Sequence, residues 1–309
     1  MNERIVFMGT PKLAAYILEG LIDANYNIVG VVTQPDKEVG RKRILTPSEV
    51  KNVALKYNIP VYTPTRIRNE YADILALDPE LIITSAYGQI IPKAILDYPK
   101  YHCINTHGSL LPLHRGGAPI QRAIINGDKV TGMSLMYMNE KMDDGDILYQ
   151  KQIDIDIHDT NSTLFDKLAI LGLDMLLELL PKVFSNDIHP IKQDSSLATF
   201  SYNLTKEEEH IDFNDKTLNV YNHIRGMLDN PGCYGLLEGK KYKLIKVFFE
   251  EANDTSPNKF LGLIDDYLRI DCKDGYIKVF EIKPEGKNSM SAKDFFNGAG
   301  RNLVGKYFG

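Results

Sequence analysis

The sequence predicts an α/β fold: a Rossmann-like, mostly parallel sheet in an N-terminal domain, then a smaller C-terminal β-barrel domain of OB-like type. Three observations carry this reading. Ile5-Val6-Phe7-Met8 is a continuous apolar run closed by Gly9, as in a central parallel strand buried on both faces. Helical spacing over Leu13–Leu21 and a second apolar run, Ile28–Thr33, complete a β-α-β unit with a right-handed crossover. Beyond Ser201 the texture changes to short alternating segments separated by turns such as Glu238-Gly239 and Asp274-Gly275, the signature of a small β-domain.

Taken in order, Pro11 is a favoured first helical residue after the opening strand. Gly9-Thr10-Pro11 offers one glycine where the dinucleotide fingerprint needs three, so a nicotinamide enzyme is disfavoured. Gln34–Pro47 reads as a loop with a basic centre, Arg41-Lys42-Arg43. Ser48 caps a helix running to Tyr57. Glu80–Ser85 and Tyr101–Ile104 are further buried strands, with Ala86–Gln89 a turn and Pro92–Leu96 a short helix. Gln121–Asn126 is helical in pattern; Thr131–Met138 and Ile147–Ile153 are strands flanking an acidic turn. Asp159–Thr163 supplies caps for an apolar helix, Leu164–Leu180, stopped or bent at Pro181. The expected division is a catalytic domain over 1–184, a polar, aperiodic linker over 185–204, and a β-barrel over 205–309, the last preceded by a helix around Leu218–Met227.

Composition narrows the function. A net charge of −5 and a pI near 5.8 argue against a whole surface built for polyanions, though not against a local basic patch. The three cysteines lie far apart and form no ligand pair or disulfide framework, which fits a reducing cytoplasm. No apolar run approaches the ~20 residues of a membrane span, and no signal-peptide pattern opens the chain.

Chemistry concentrates in one stretch, Asn105-Thr-His-Gly-Ser-Leu-Leu-Pro-Leu-His-Arg-Gly-Gly-Ala-Pro119. It follows a strand, and open α/β sheets place ligands at the carboxyl ends of their strands. Asn105 and His107 stand two apart and project from one face of extended chain, where an amide and an imidazole can serve one oxygen and one proton. The turn Met142-Asp143-Asp144-Gly145-Asp146 offers a carboxylate to orient or charge the imidazole. The same acids could instead hold a divalent cation or form a solvated turn. Arg115 has three possible partners: a ligand carboxylate, an RNA phosphate or a neighbouring acid.

The full string, Asn105-x-His107-x-Ser109-Leu110-Leu111-Pro112 with Arg115-Gly116, Pro119 and Asp143, resembles the formyltransferases that use 10-formyltetrahydrofolate. Phe7–Pro11, Thr33–Asp36, Ala86–Pro92 and Met290–Phe295 extend the resemblance nearly end to end, and it is strongest to members acting on initiator methionyl-tRNA. The resemblance implies catalytic roles for Asn105, His107 and Asp143, with Asp146 the less favoured acid and Asp144 peripheral. It implies folate contacts at Ser109, Leu110, Leu111 and Pro112, tRNA contacts at Arg41, Lys42 and Arg43, and no metal. Gly40-Arg41-Lys42-Arg43 is shorter than the basic loop of the family and lacks its second glycine. The expected protein is a monomeric cytoplasmic enzyme with folate as cosubstrate rather than resident cofactor. Rival readings are a nucleotide-sugar N-formyltransferase, a formyltetrahydrofolate hydrolase, and an RNA-binding scaffold on a degenerate fold.

Overall fold

The computed structural model describes residues 2–40 and 42–309. Elements follow in chain order: β1 (Ile5–Gly9), α1 (Lys12–Asp23), β2 (Ile28–Val32), β3 (Lys37–Val39), β4 (Ile44–Thr46), α2 (Glu49–Lys56), β5 (Val61–Tyr62), α3 (Ala72–Leu75), β6 (Leu81–Ser85), α4 (Lys93–Leu96), β7 (Cys103–His107), α5 (Pro119–Ile125), β8 (Val130–Tyr137), β9 (Ile147–Asp154) and α6 (Asn161–Phe184). After them come α7 (Thr217–Met227), β10 (Tyr234–Leu237), β11 (Lys240–Glu251), β12 (Phe260–Ile264), β13 (Tyr267–Cys272), β14 (Gly275–Pro284), β15 (Met290–Ser291) and α8 (Ala292–Gly298).

The first compact unit comprises 1–119, 130–154 and 165–202. Its seven-stranded sheet has the order β5-β2-β1-β6-β7-β8-β9. Five strands run parallel, and the β8–β9 hairpin adds an antiparallel edge. Every residue of β1 is buried, as its unbroken apolar run requires. The chain leaves β1 toward β2 on one side, and β6 lies on the other, so the switch point falls between β1 and β6. The Thr10 hydroxyl donates to the Tyr87 carbonyl across that point at 3.1 Å.

The segment expected as a loop over 34–47 contains an antiparallel hairpin, β3–β4, in which Lys37 faces Thr46 and Val39 faces Ile44. All six of its residues are exposed, so no buried face announces these strands in the sequence. Its base is pinned: Lys51 pairs with Asp36 at 2.8 Å, and the Thr33 and Ser48 hydroxyls meet at 2.7 Å. Helix α6 continues to Phe184, one turn past the expected stop; Pro181 forfeits one backbone donor, and its own carbonyl still accepts from Ser185.

The second unit comprises 120–129, 155–164 and 203–309. Two stretches that precede residue 165 therefore pack with the C-terminal sequence. Arg122 pairs with Glu208, and Arg225 donates to the Asp156 and Asp159 carbonyls at 3.0 and 2.8 Å. The sheet order is β10-β11-β14-β13-β12, with β15 paired to β14. Register shifts near Leu244 and Lys246 bend the long strand β11. The C-terminal tail then joins the two ends of this path. Tyr307 bridges Lys259 beside β12, Phe308 bridges Leu237 of β10, and Gly309 N–H donates to the Leu236 carbonyl at 2.9 Å. That closure is compatible with the small barrel expected from the alternating segments. Among the described residues, no helix is long and apolar enough to cross a membrane.

Phe308 is 3% exposed and packs against Phe213, Tyr242 and Phe260. Phe308→Ala is expected to cost about 3–5 kcal/mol, the usual loss for a buried phenylalanine. Urea unfolding of the full chain measures it; a loss below about 1 kcal/mol would mean that the tail does not close the second unit.

Candidate active site

Strand β7 delivers Asn105 and His107 from one face, and register with its neighbours fixes both. Thr84 of β6 stands beside Asn105, and its hydroxyl donates to Asn105 Oδ1 at 2.8 Å. The amide oxygen is thereby occupied, and Nδ2 turns toward Asp143, whose Oδ1 lies 3.4 Å away. Around His107 the geometry is equally directional. Nε2 lies 2.8 Å from the His114 carbonyl, which only accepts, so Nε2 carries a proton. The nitrogen left to exchange a proton is Nδ1, 3.6 Å from Asp143 Oδ1. The His114 carbonyl thus sets the tautomer of His107, leaving the acid to face Nδ1.

The acidic turn is built around its glycine. A Cβ on Gly145 would fall 1.8 Å from the Tyr137 carbonyl oxygen, a backbone atom that cannot give way. Asp143 itself sits in the left-handed region at φ 49°. Its Oδ2 accepts from Gly116 N–H at 2.8 Å, which leaves Oδ1 for Asn105 and His107. The three acids diverge. Asp144 takes Arg115 Nη1 at 2.6 Å and the Ser195 hydroxyl at 2.9 Å, and Asp146 is exposed. Arg115 therefore meets a neighbouring carboxylate. The Ser195 hydroxyl and the Arg115 guanidinium hold Asp144 below the ordinary carboxylate range. Among the described residues, no group of three or more His, Cys, Asp or Glu is placed to hold a metal ion.

The stretch 185–204 supplies what sequence reasoning missed. Gln193 is 6% exposed, and its amide donates to the Asp143 and Gly145 carbonyls at 2.8 and 2.7 Å. Its oxygen accepts from Arg115 Nε at 3.2 Å and Nη2 at 2.8 Å. Thr199 and Ser201 grip His114 through its N–H and Nδ1 at 2.8 and 2.7 Å. No periodicity marks these residues, because their contacts are made from irregular chain to residues distant in sequence.

The other expected residues divide by exposure. Ser109 and Leu111 are buried, and the Ser109 hydroxyl is spent on the Leu113 carbonyl at 2.6 Å. Leu110 and Pro112 are half-buried and present the accessible surface of that turn. Ser134 and Gln150 lock it: Ser134 donates to the Ser109 carbonyl at 2.6 Å, and Gln150 donates to the Leu111 carbonyl at 2.8 Å. Lys42 is exposed at the β3–β4 tip, Arg43 pairs with Glu38 at 2.5 Å, and Arg41 lies outside the described residues.

A frame of amide, imidazole and carboxylate at a strand's end suits acyl transfer, which needs an oxyanion donor and a proton acceptor together. Comparison with known proteins agrees. The formyl transferase profile matches residues 3–180, and the profile of the formyl transferase C-terminal domain matches 203–300. The chain belongs to the formyltransferase family. This formyltransferase is 45% identical over 303 residues to a methionyl-tRNA formyltransferase of Bacillus cytotoxicus, covering 96% of each chain. It is 46% identical over 308 residues to that of a Geobacillus strain, covering 97% of this chain and 96% of the relative. Its fold is similar to that of WlaRD, a sugar 3N-formyl transferase, with TM-score 0.67 at 19% identity over 93% of this chain and all of that one. It is likewise similar to methionyl-tRNA formyltransferase from Clostridium thermocellum, with TM-score 0.58 at 17% identity over 80% of this chain and 94% of that one.

Two expectations follow from the turn. Gly145→Ala should cost about 1–3 kcal/mol, as overpacking does, and should lower turnover further by displacing Asp143; unchanged kinetics would mean the turn tolerates repositioning. Asp144→Asn should destabilise the protein near neutrality. Because the folded carboxyl titrates below its ordinary value of 3.8, the wild-type advantage should be complete above that value and fade as pH falls through the lower folded one. Denaturant midpoints of both proteins between about pH 7 and about pH 3 measure it; a constant difference would contradict the assignment.

Proposed function

We propose that this chain transfers the formyl group of 10-formyltetrahydrofolate to the α-amine of methionine carried on initiator tRNA. The observation that carries it is the convergence of Asn105 Nδ2 and His107 Nδ1 on one oxygen of Asp143, at 3.4 and 3.6 Å. The choice of RNA over a nucleotide sugar rests on relatives 44–46% identical over nearly the whole chain.

The amine attacks the formyl carbon and a C–N bond forms. The carbonyl oxygen becomes an oxyanion, and the Asn105 amide donates to it without changing charge. Nδ1 of His107 takes the proton that the amine loses, while Asp143 faces the imidazolium. The bond from the formyl carbon to the folate nitrogen then breaks, and a proton reaches that nitrogen. Separations of 3.4–3.6 Å are ordinary before substrate arrives, since catalytic contacts often tighten only in the complex. Leu110 and Pro112 offer an apolar wall to the pterin, with Ser109 and Leu111 holding the turn from within. The β3–β4 hairpin meets the acceptor end of the tRNA through Lys42, Arg43 and Arg41, and the C-terminal unit binds the rest of the RNA. The enzyme acts as a monomer in the cytoplasm.

Purified protein and 10-formyltetrahydrofolate should formylate methionyl-initiator tRNA; formylation of an amino-sugar nucleotide alone would defeat the reading. Asn105→Ala should raise the barrier by about 3–4 kcal/mol, the typical cost of a lost oxyanion donor. Adding His107→Ala or Asp143→Ala should cost less than the single losses sum to, because the three act as a unit. Single-turnover rates check this, and full additivity would separate the residues. Neutralising Lys42, Arg43 and Arg41 should flatten the dependence of log affinity for tRNA on log salt, with folate binding unchanged. The slope should fall by about one unit or slightly less for each phosphate that no longer meets a cation. An unaltered slope would reduce the hairpin to a loop.

A further inference from the structure

Arg115 stands between the two main-chain groups that hold the catalytic frame. The His114 carbonyl before it meets His107 Nε2, and the Gly116 N–H after it meets Asp143 Oδ2. The main chain of Arg115 is fixed in turn by the chain over 199–201: its N–H donates to the Thr199 carbonyl at 2.8 Å, and its carbonyl accepts from Ser201 N–H at 2.7 Å. The acidic turn has to be held against this strip with equal precision, because Asp143 Oδ1 serves both Asn105 and His107.

One buried side chain spans the gap. Gln193, 6% exposed, donates from Nε2 to the Asp143 and Gly145 carbonyls at 2.8 and 2.7 Å. Its Oε1 accepts from Arg115 Nε and Nη2 at 3.2 and 2.8 Å. Carbonyls only accept and a guanidinium only donates, so the amide has a single orientation. Both of its N–H donors and both lone pairs of its oxygen are used. The contacts close a ring. It runs from Gln193 to Arg115, along the main chain to Gly116, across to the Asp143 carboxylate, and through the Asp143 backbone to Gln193 again.

We propose that Gln193 is a positioning residue for formyl transfer, and that its position needs a carboxamide. This rests on the roles given above to Asn105, His107 and Asp143. Arg115 has a second anchor in Asp144, at 2.6 Å, so it stays placed without Gln193. The turn is different: both of its carbonyls depend on the same amide nitrogen, and a displacement there carries Asp143 with it. Glutamate keeps the length and pairs with Arg115, but sets carboxylate oxygens against those two carbonyls. Methionine keeps the length and bulk and offers no N–H. Either change frees the turn while leaving the strand that carries Asn105 and His107 as it is. A misplacement of about 1 Å at a reacting group costs about a hundredfold in rate.

Formylation of methionyl-initiator tRNA is measured for Gln193→Glu and Gln193→Met, each alone and combined with Asp143→Ala. Folded enzyme is counted from its unfolding transition and from folate binding, so that lost protein is not read as lost rate. Alone, both variants should lower kcat about a hundredfold, with KM for tRNA and for folate changed by less than about threefold. Combined with Asp143→Ala, the same substitutions should slow single turnovers further by less than about threefold, because the group they position is already gone. An equal loss in both backgrounds, a raised KM at unchanged kcat, or full activity in either variant would overturn the assignment. Should Gln193→Glu fail to fold, Gln193→Met decides by the same comparison. An Asp143→Ala enzyme as fast as the unmodified one would instead sink the catalytic roles on which the proposal rests.

Discussion

A single carboxylate organises the site. Asp143 gives one oxygen to Gly116 N–H and the other to Asn105 and His107. Little else nearby could be arranged differently. The aspartate must enter from a left-handed turn, and the turn must close over Tyr137 with no Cβ at Gly145. Gly116 must then approach both the carboxylate and the Ser201 carbonyl, which bars any side chain from its place. Backbone constraints at two glycines thus fix where the amide, the imidazole and the carboxylate converge.

The polar stretch before residue 203 does more than connect. Gln193 holds the acidic turn from behind through two carbonyls and also satisfies Arg115, which in turn neutralises Asp144. A buried arginine and a buried amide are costly unless fully partnered, so this network has essentially one arrangement. Its rigidity is inherited by Asp143. Thr199 and Ser201 extend the same clamp to His114 and so to the tautomer of His107.

The β3–β4 hairpin contrasts with this rigidity. A two-stranded ribbon with no buried face is marginal in water; among the described residues its base is tied by Lys51–Asp36 and Thr33–Ser48, and Arg43 pairs with Glu38 across it. Elements of low local stability are where binding loops are drawn from.

The sequence by itself determined the parallel strands, the helices between them and the change to short strands beyond Ser201. Burial on one or both faces writes a period into the chain that needs no partner to be read. It also determined the residue types of the site, since Asn105 and His107 lie two apart on one strand and Asp143 lies in a glycine turn. Resemblance singled out Asp143, but the residues themselves could not, for Asp143, Asp144 and Asp146 are chemically alike; the tertiary structure shows where the turn aims each of them. It alone paired Arg115 with Asp144, gave His107 its tautomer through a backbone carbonyl, and drew Gln193, Thr199 and Ser201 into the frame. Interactions between residues tens of positions apart, made singly from irregular chain or through main-chain atoms, leave no local pattern. The hairpin over 37–46 was invisible for the complementary reason, that strands exposed on both faces carry no alternation to betray them.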